Sequence, residues 1–387
     1  MPRHAPLRLL AALLCLAAAA PAAASTARLA ALGGDGFYLD DPAAARTWYG
    51  ALGDHPDWVA VESGAFMHDL GYPRSLVGGG RAAGPAAGLH WAIGEGGRSA
   101  TVGLWWNDRA NAGGIGELGA DELDTSWQVM AAHPFGKVTG AVSLRHAGAE
   151  RDLNAYVHRD AIRDDFGLGL RWSVSTKAYL DVAGEIVRLE DRSHVGGDEP
   201  VTRSTADSWG ARARAFVQVG DGLVLTPVLE RRTENRSWSA VATDADRSWR
   251  LWRVGAGLTW LPDPDHLVLL AADFRDAGEY RDRDTDHELS ATASVVDLRV
   301  AFEARVHALL SLRLASGYRA TRAEIDGVAA YDLDQVPLSA GVAVHAGPAD
   351  LELSLANLPP VGPDGLREPW WPNEIATWLN AGLNWWF

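Results

Sequence analysis

Arginine and carboxylate residues recur at every second position over long stretches of this chain. In the segment Val296 to Val306, Asp297, Arg299, Glu303 and Arg305 alternate with Val296, Leu298, Val300, Phe302, Ala304 and Val306. An extended strand points successive side chains to opposite faces, so such a segment has one charged side and one apolar side. The same reading places Arg145, Arg171, Arg212, Arg214, Arg253, Arg275 and Arg313 on the charged side of their own segments. Asp181, Glu185, Glu230 and Asp273 fall on the matching side. If these sides converge on an interior, they could line a mixed-charge, arginine-rich path and bias permeation toward anions. They could equally pair across neighbouring strands, only to satisfy charge in a narrow interior.

Other chemistry finds less support. Asp282, Asp284, Asp286 and Glu288 alternate like a calcium loop but lack its turn glycine, so a solvated loop is the better reading. The histidines are scattered without ligand spacing, and no metal site or cofactor is expected. No Gly-x-Ser-x-Gly element or Ser/His/Asp spacing marks an enzyme. His146, at the far end of its segment, is the one histidine worth checking as a base.

The elements that must position these charges are strands. From residue 58 onward the chain falls into segments of alternating polarity, as in Trp252 to Trp260 and Phe166 to Trp172, where glycines 255, 257, 167 and 169 share the charged side. So many strands with no helical stretch between them predict one closed antiparallel sheet over 58–387, a transmembrane barrel of about sixteen strands, within a range of about fourteen to eighteen. Connections alternate between short turns, such as Ser175-Thr176 and Gly347-Pro348, and longer polar stretches near 147–162, 190–205, 233–247, 277–290 and 320–333. That alternation puts the turns, and both chain ends, in the periplasm. Trp91, Trp172, Trp260, Trp385 and Phe387 fall near the turn side, and Trp106, Trp127, Trp209 and Trp249 near the other, as two interfacial girdles would require. Pro227 interrupts its segment and predicts a bulge.

The first 24 residues carry Arg3 and Arg8, an apolar run from Leu9 to Ala20 and small residues at Ala22 to Ala24, the pattern of a cleaved secretory signal. The single cysteine, Cys15, lies inside it. Removing Arg3 and Arg8 from the 35 basic residues leaves 33 against 50 acidic ones, a formal charge of -17 that argues against nucleic acid as a partner. Residues 25–57 then form a segment ahead of the barrel, able to plug it.

The C-terminus, with Leu379, Ala381, Leu383, Trp385 and Phe387 alternating with Asn380, Gly382, Asn384 and Trp386, resembles the terminal strand of bacterial outer-membrane barrels. The resemblance implies insertion among outer-membrane lipid and lipopolysaccharide, with Trp385 and Phe387 as the signal for the barrel-assembly machinery. Residues 27–51, with Gly33-Gly34 and Asp40-Asp41-Pro42, are similar to the segment preceding the barrel in FadL- and PorV-like families, although Trp48-Tyr49-Gly50-Ala51 stands in place of their Asn-Pro-Ala element. Three functions follow. The first is a porin-like channel for ions and small solutes. The second is a FadL-like conduit for hydrophobic compounds, with an apolar pocket at Phe37, Tyr38, Trp48 and Tyr49. The third is a closed adaptor for surface or secretion partners.

Overall fold

The computed structural model describes residues 26–33, 36–67, 83–94, 100–107, 124–152, 157–195, 200–240, 243–282, 289–325, 328–356 and 377–387. The signal region and residues 283–288 of the calcium-like stretch lie outside the described residues. No helix among those described is long and apolar enough to cross a membrane.

The chain forms one antiparallel sheet closed on itself. Its strands are β1 (Trp58–Met67), β2 (Ala83–Ile93), β3 (Ala100–Trp106), β4 (Thr125–Phe135), β5 (Val138–Asp152), β6 (Val157–Ser175), β7 (Ala178–Val195) and β8 (Pro200–Gly220). There follow β9 (Leu223–Ala240), β10 (Thr243–Asp263), β11 (His266–Asp282), β12 (Leu289–His307) and β13 (Leu310–Ile325). β14 is interrupted, its halves Val328–Gln335 and Leu338–Ala346 pairing one after the other with β13 across the break at Val336-Pro337. β15 (Ala349–Ala356) and β16 (Thr377–Trp386) complete the sheet. β16 pairs with β1 from Trp58↔Trp386 to Met67↔Thr377, so no edge remains open and the staves number sixteen. Closure matters because an unpaired ladder has no water to bond to in hydrocarbon.

Alternation sets the two faces as the sequence predicts. Leu168, Leu170, Val254, Leu270, Leu298, Val300 and Leu314 are exposed on the outside, while the arginines and carboxylates between them are buried inside. The aromatic girdles follow suit: Trp91, Trp172, Trp260, Trp385 and Phe387 are exposed toward the turns, and Trp106 and Trp209 at the other margin. Trp127 is half-buried, and the Trp249 side chain lies outside the described residues.

Two expectations need correction. Pro227 makes no bulge: β9 keeps its register with both neighbours through that position, Pro227 itself pairing with Ala256. The long polar stretches on the far side are mostly strand. β8 and β10 each run 21 residues, about twice the 9–11 that a membrane requires. Beyond the girdle the outer face no longer meets hydrocarbon, so its apolar alternation stops although the hydrogen-bonded ladder continues; the inner face there keeps a buried cluster of Ala147, Ala149, Ala161, Leu189 and Ala206.

Candidate functional site: a segment held inside the barrel

Residues 26–57 enter the lumen as three short turns of helix. Thr26–Ala31 is α1, and two 3-10 turns follow at Pro42–Arg46 and Tyr49–Asp54. Asp41 caps the second, its carboxylate accepting from the Ala43 amide at 2.9 Å, with Pro42 at the first position where no N–H is needed. The apolar side chains of the segment, among them Leu29, Leu32, Leu39 and Leu52, merge with inward residues Trp105, Met130, Val228 and Leu269 into one core. Each such burial stabilises by about 1.5–3 kcal/mol relative to exposure. Phe37, Tyr38, Trp48 and Tyr49 are all buried here, Phe37 meeting Trp48 edge-on at 5.4 Å. They fill the lumen rather than line a void.

The wall is cut to receive them. A Cβ at Gly169 would stand 2.7 Å from the Gly50 amide and from Tyr49 Cβ, and one at Gly167 would stand 2.3 Å from the Tyr49 ring. On the opposite strands, a Cβ at Gly257 would meet the Tyr38 ring at 2.7 Å and one at Gly255 its hydroxyl at 2.2 Å. Real Cβ atoms do not come so close, so these inward glycines are seats for the two tyrosines. The hydroxyls then reach carboxylates on the wall, Tyr38 donating to Asp273 at 3.2 Å and Tyr49 to Glu185 at 3.3 Å.

Charge clamps complete the attachment. Arg171 bonds Asp181 on the wall (2.6 Å) and Asp40 (2.8 Å) and Asp54 (3.0 Å) on the segment. Arg214 bonds Asp181 at 2.9 Å, donates to the carbonyls of Gly36 and Leu39, and lies 4.5 Å over the Trp48 ring. From the segment, Arg28 reaches Glu303 on β12 and its own Asp41, both at 2.7 Å. Arg46 pairs with Glu62 at 2.8 Å and covers Trp105.

The remaining inward charges pair along the wall. Arg212 bonds Glu185 (2.6 Å), Arg253 and Arg275 hold Asp273 (2.9 and 2.8 Å), and Arg313 joins Glu303 (2.9 Å) to Glu352 (2.7 Å). Arg299 sits 3.5 Å from Asp297, Arg145 3.5 Å from Asp165, and Glu230 stands in register with both Arg212 and Arg253. Arg305 donates to Ala308 at the turn. The predicted charged side thus faces inward, its charges paired along the wall and with the segment, the arrangement of the second of the two readings.

The segment's titrating groups record this environment. Burial pushes the Tyr49 hydroxyl up to about 12, with Glu185 adding to it. Burial pushes His55 down to about 4, against the pull of Asp40 4.0 Å away. Burial alone would raise Asp40, yet the Arg171 guanidinium outweighs it and holds the carboxyl well below the usual range.

Sequence reasoning missed Arg28, Asp54 and the Arg46–Glu62 pair, since the segment has no periodicity to say which way a side chain points. It also missed a relay at the turn end of the lumen, in which Ser311 Oγ lies 2.8 Å from His345 Nε2 and His345 Nδ1 lies 2.6 Å from Asp350. The order is that of a hydrolytic triad. Ser311 is only 2% exposed, so the relay fixes the lumen floor rather than presenting a nucleophile. His146 pairs with Asp164 at 2.8 Å on the outer face, stacked on Trp127. Among the described residues no three His, Cys, Asp or Glu converge as metal ligands.

A closed sheet with an apolar outside, two aromatic girdles and a charged inside decides the class. This is the architecture of an outer-membrane β-barrel. No family model matches the chain, and no curated protein matches it. Among solved structures it is similar to the Pseudomonas putida toluene transporter TodX, with 12% identity over 92% of this chain and 97% of that one and a TM-score of 0.44. It is similar to the Ralstonia pickettii toluene transporter TbuX, with 11% identity over 92% and 96% and a TM-score of 0.45. CdiB from Escherichia coli gives 10% identity over 84% and 63% and a TM-score of 0.47. At TM-scores below 0.5 these likenesses bear on neither cargo nor mechanism.

Proposed function

We propose that the barrel is an outer-membrane conduit for hydrophobic compounds, shut at rest by residues 26–57, with its short turns toward the periplasm. The observation that carries this reading is the inner face of β11. Leu267, Leu269 and Ala271 point inward against the segment while Leu270 points out, so the turn-side part of this strand is apolar on both sides, ahead of the inward Asp273 and Arg275. Val228, Ala301 and Ala315 extend the inner strip over β9, β12 and β13. When the segment yields, it uncovers an apolar track beside the charge lattice, a surface suited to a greasy solute and ill-suited to a hydrated ion. Passive diffusion of small ions would need a wet lumen, and the buried, paired arginines argue against one. Trp385 and Phe387, exposed on the last strand, fit a handle for the assembly machinery.

Proteoliposomes test this with a labelled monoaromatic hydrocarbon and a labelled disaccharide. The reading expects uptake of the first and exclusion of the second. Disaccharide entry at the rate of an open pore, or equal exclusion of both solutes even after the segment is loosened by Gly169→Leu, would contradict it. The second outcome would favour a sealed scaffold barrel instead.

A further inference from the structure

On the lipid-facing side, Arg231 takes no part in the segment's attachment or in the inward charge lattice, among the described residues. Arg231, on β9, points outward and is exposed, with its guanidinium 5.4 Å over the ring of Trp209 and 4.9 Å over that of Trp252. It pairs in register with Ala211 on β8 and Trp252 on β10, so the two indoles flank it from both neighbouring strands. Toward the turns the next outward residue is Leu229, exposed in the apolar band. Away from them the outward residues are Asn235 on β9, Arg250 on β10, and Arg188 and Asp207, all exposed. Arg231 therefore marks the boundary where hydrocarbon gives way to polar headgroups.

Strand geometry agrees. Arg231 is the ninth residue of β9, eight steps from Leu223 beside the turn. At about 3.3 Å per residue and a tilt near 45°, that is roughly 20 Å along the barrel axis, close to the far edge of an apolar band about 25 Å tall. A guanidinium at that level, fixed between two indole faces, loses little motion when an anion docks on its remaining edge. The nearest outward carboxylates are otherwise placed. Asp207 faces Arg188 at 3.7 Å, and Asp276 lies on the far side of Trp252, in register with it. No carboxylate holds Arg231 among the described residues.

We propose that Arg231, Trp209 and Trp252 form a clamp for the phosphate of the outer-leaflet glycolipid, lipid A, on the face made by β8, β9 and β10. Arg231 supplies charge and two donors to the phosphate, and the indoles bracket the sugar edge and the first methylenes of the acyl chains. The inference rests on the orientation proposed above: with the short turns toward the periplasm, this opposite end of the barrel meets the lipid of the outer leaflet. The other arginines of the patch, Arg188 and Arg250, stand farther into the headgroup layer.

The test is native mass spectrometry of the full detergent-purified protein, titrated separately with lipid A, with lipid A stripped of its phosphates, and with phosphatidylglycerol. The clamp predicts saturable one-to-one binding of lipid A. Affinity should fall about tenfold in Arg231→Gln and severalfold in Trp252→Ala, with Arg188→Gln close to wild type. Retention of the heat-resistant fast band on electrophoresis shows that each variant is folded. Wild-type affinity in folded Arg231→Gln, or equal binding of dephosphorylated lipid A, would overturn the proposal. Equally tight, Arg231-dependent binding of phosphatidylglycerol would overturn the commitment to lipid A.

Discussion

The same pair of side chains, an arginine and a carboxylate meeting across strands, occurs in two regions of this barrel with different consequences. In the lumen, Arg313 and Glu352 meet at 2.7 Å with both side chains 0% exposed. Past the girdle, Arg188 and Asp207 stand 3.7 Å apart with exposures of 82% and 78%. Water screens the outer pair and competes for both partners, so it contributes little. The inner pair has no water to return to, and removing one partner strands the other. Like pairings therefore specify the closed lumen in one region and only decorate a wet ladder in the other.

Breaking the inner lattice should have the largest effect. Arg313→Ala leaves Glu303 and Glu352 buried without their shared cation, and we expect a loss of about 3–5 kcal/mol, read as a lower midpoint in urea unfolding. Arg171→Ala severs the wall from Asp40 and Asp54 together. Its expected result is a segment open to protease added from the turn side, with the barrel itself still heat-resistant.

Acid should loosen the same attachment. The folded pKa of His55, about 4, lies below the ordinary value of 6.5. The folded form therefore takes up its proton later than a released segment does. Retention is complete above about pH 6.5 and weakens as pH falls toward 4. Protease release measured across that range should rise with acidity, and His55→Gln should flatten the profile. The smallest effect belongs to the outer pair: Arg188→Ala should move the unfolding midpoint by less than about 1 kcal/mol.

How far the sequence spoke depended on where its alternation had a physical cause. Between the girdles one face meets lipid and the other does not, so Val296 to Val306 declared both its strand and its orientation. Past the girdle the outward face no longer meets hydrocarbon, and β6 to β10 read as loops there although Arg159–Asp191 and Arg203–Glu190 line continuous ladders. The arginines were legible as inward, and pairing across neighbouring strands was one of the two readings left open; which carboxylate each one meets was not legible, because a partner on another strand leaves no mark on local spacing. Two signals pointed to the closed lumen. Glycines 167, 169, 255 and 257 sit where side chains would otherwise fill an interior, and Leu267 to Ala272 is apolar at successive positions, as only a strand covered on both faces would be.

The central claim is that residues 26–57 occupy and close the barrel, and single-channel recording in planar bilayers tests it most directly. The full-length protein should give no stable ion current, and Gly169→Leu, which fills the seat of Tyr49 while leaving the wall intact, should give discrete openings. Steady current through the unaltered protein at neutral pH would contradict the account.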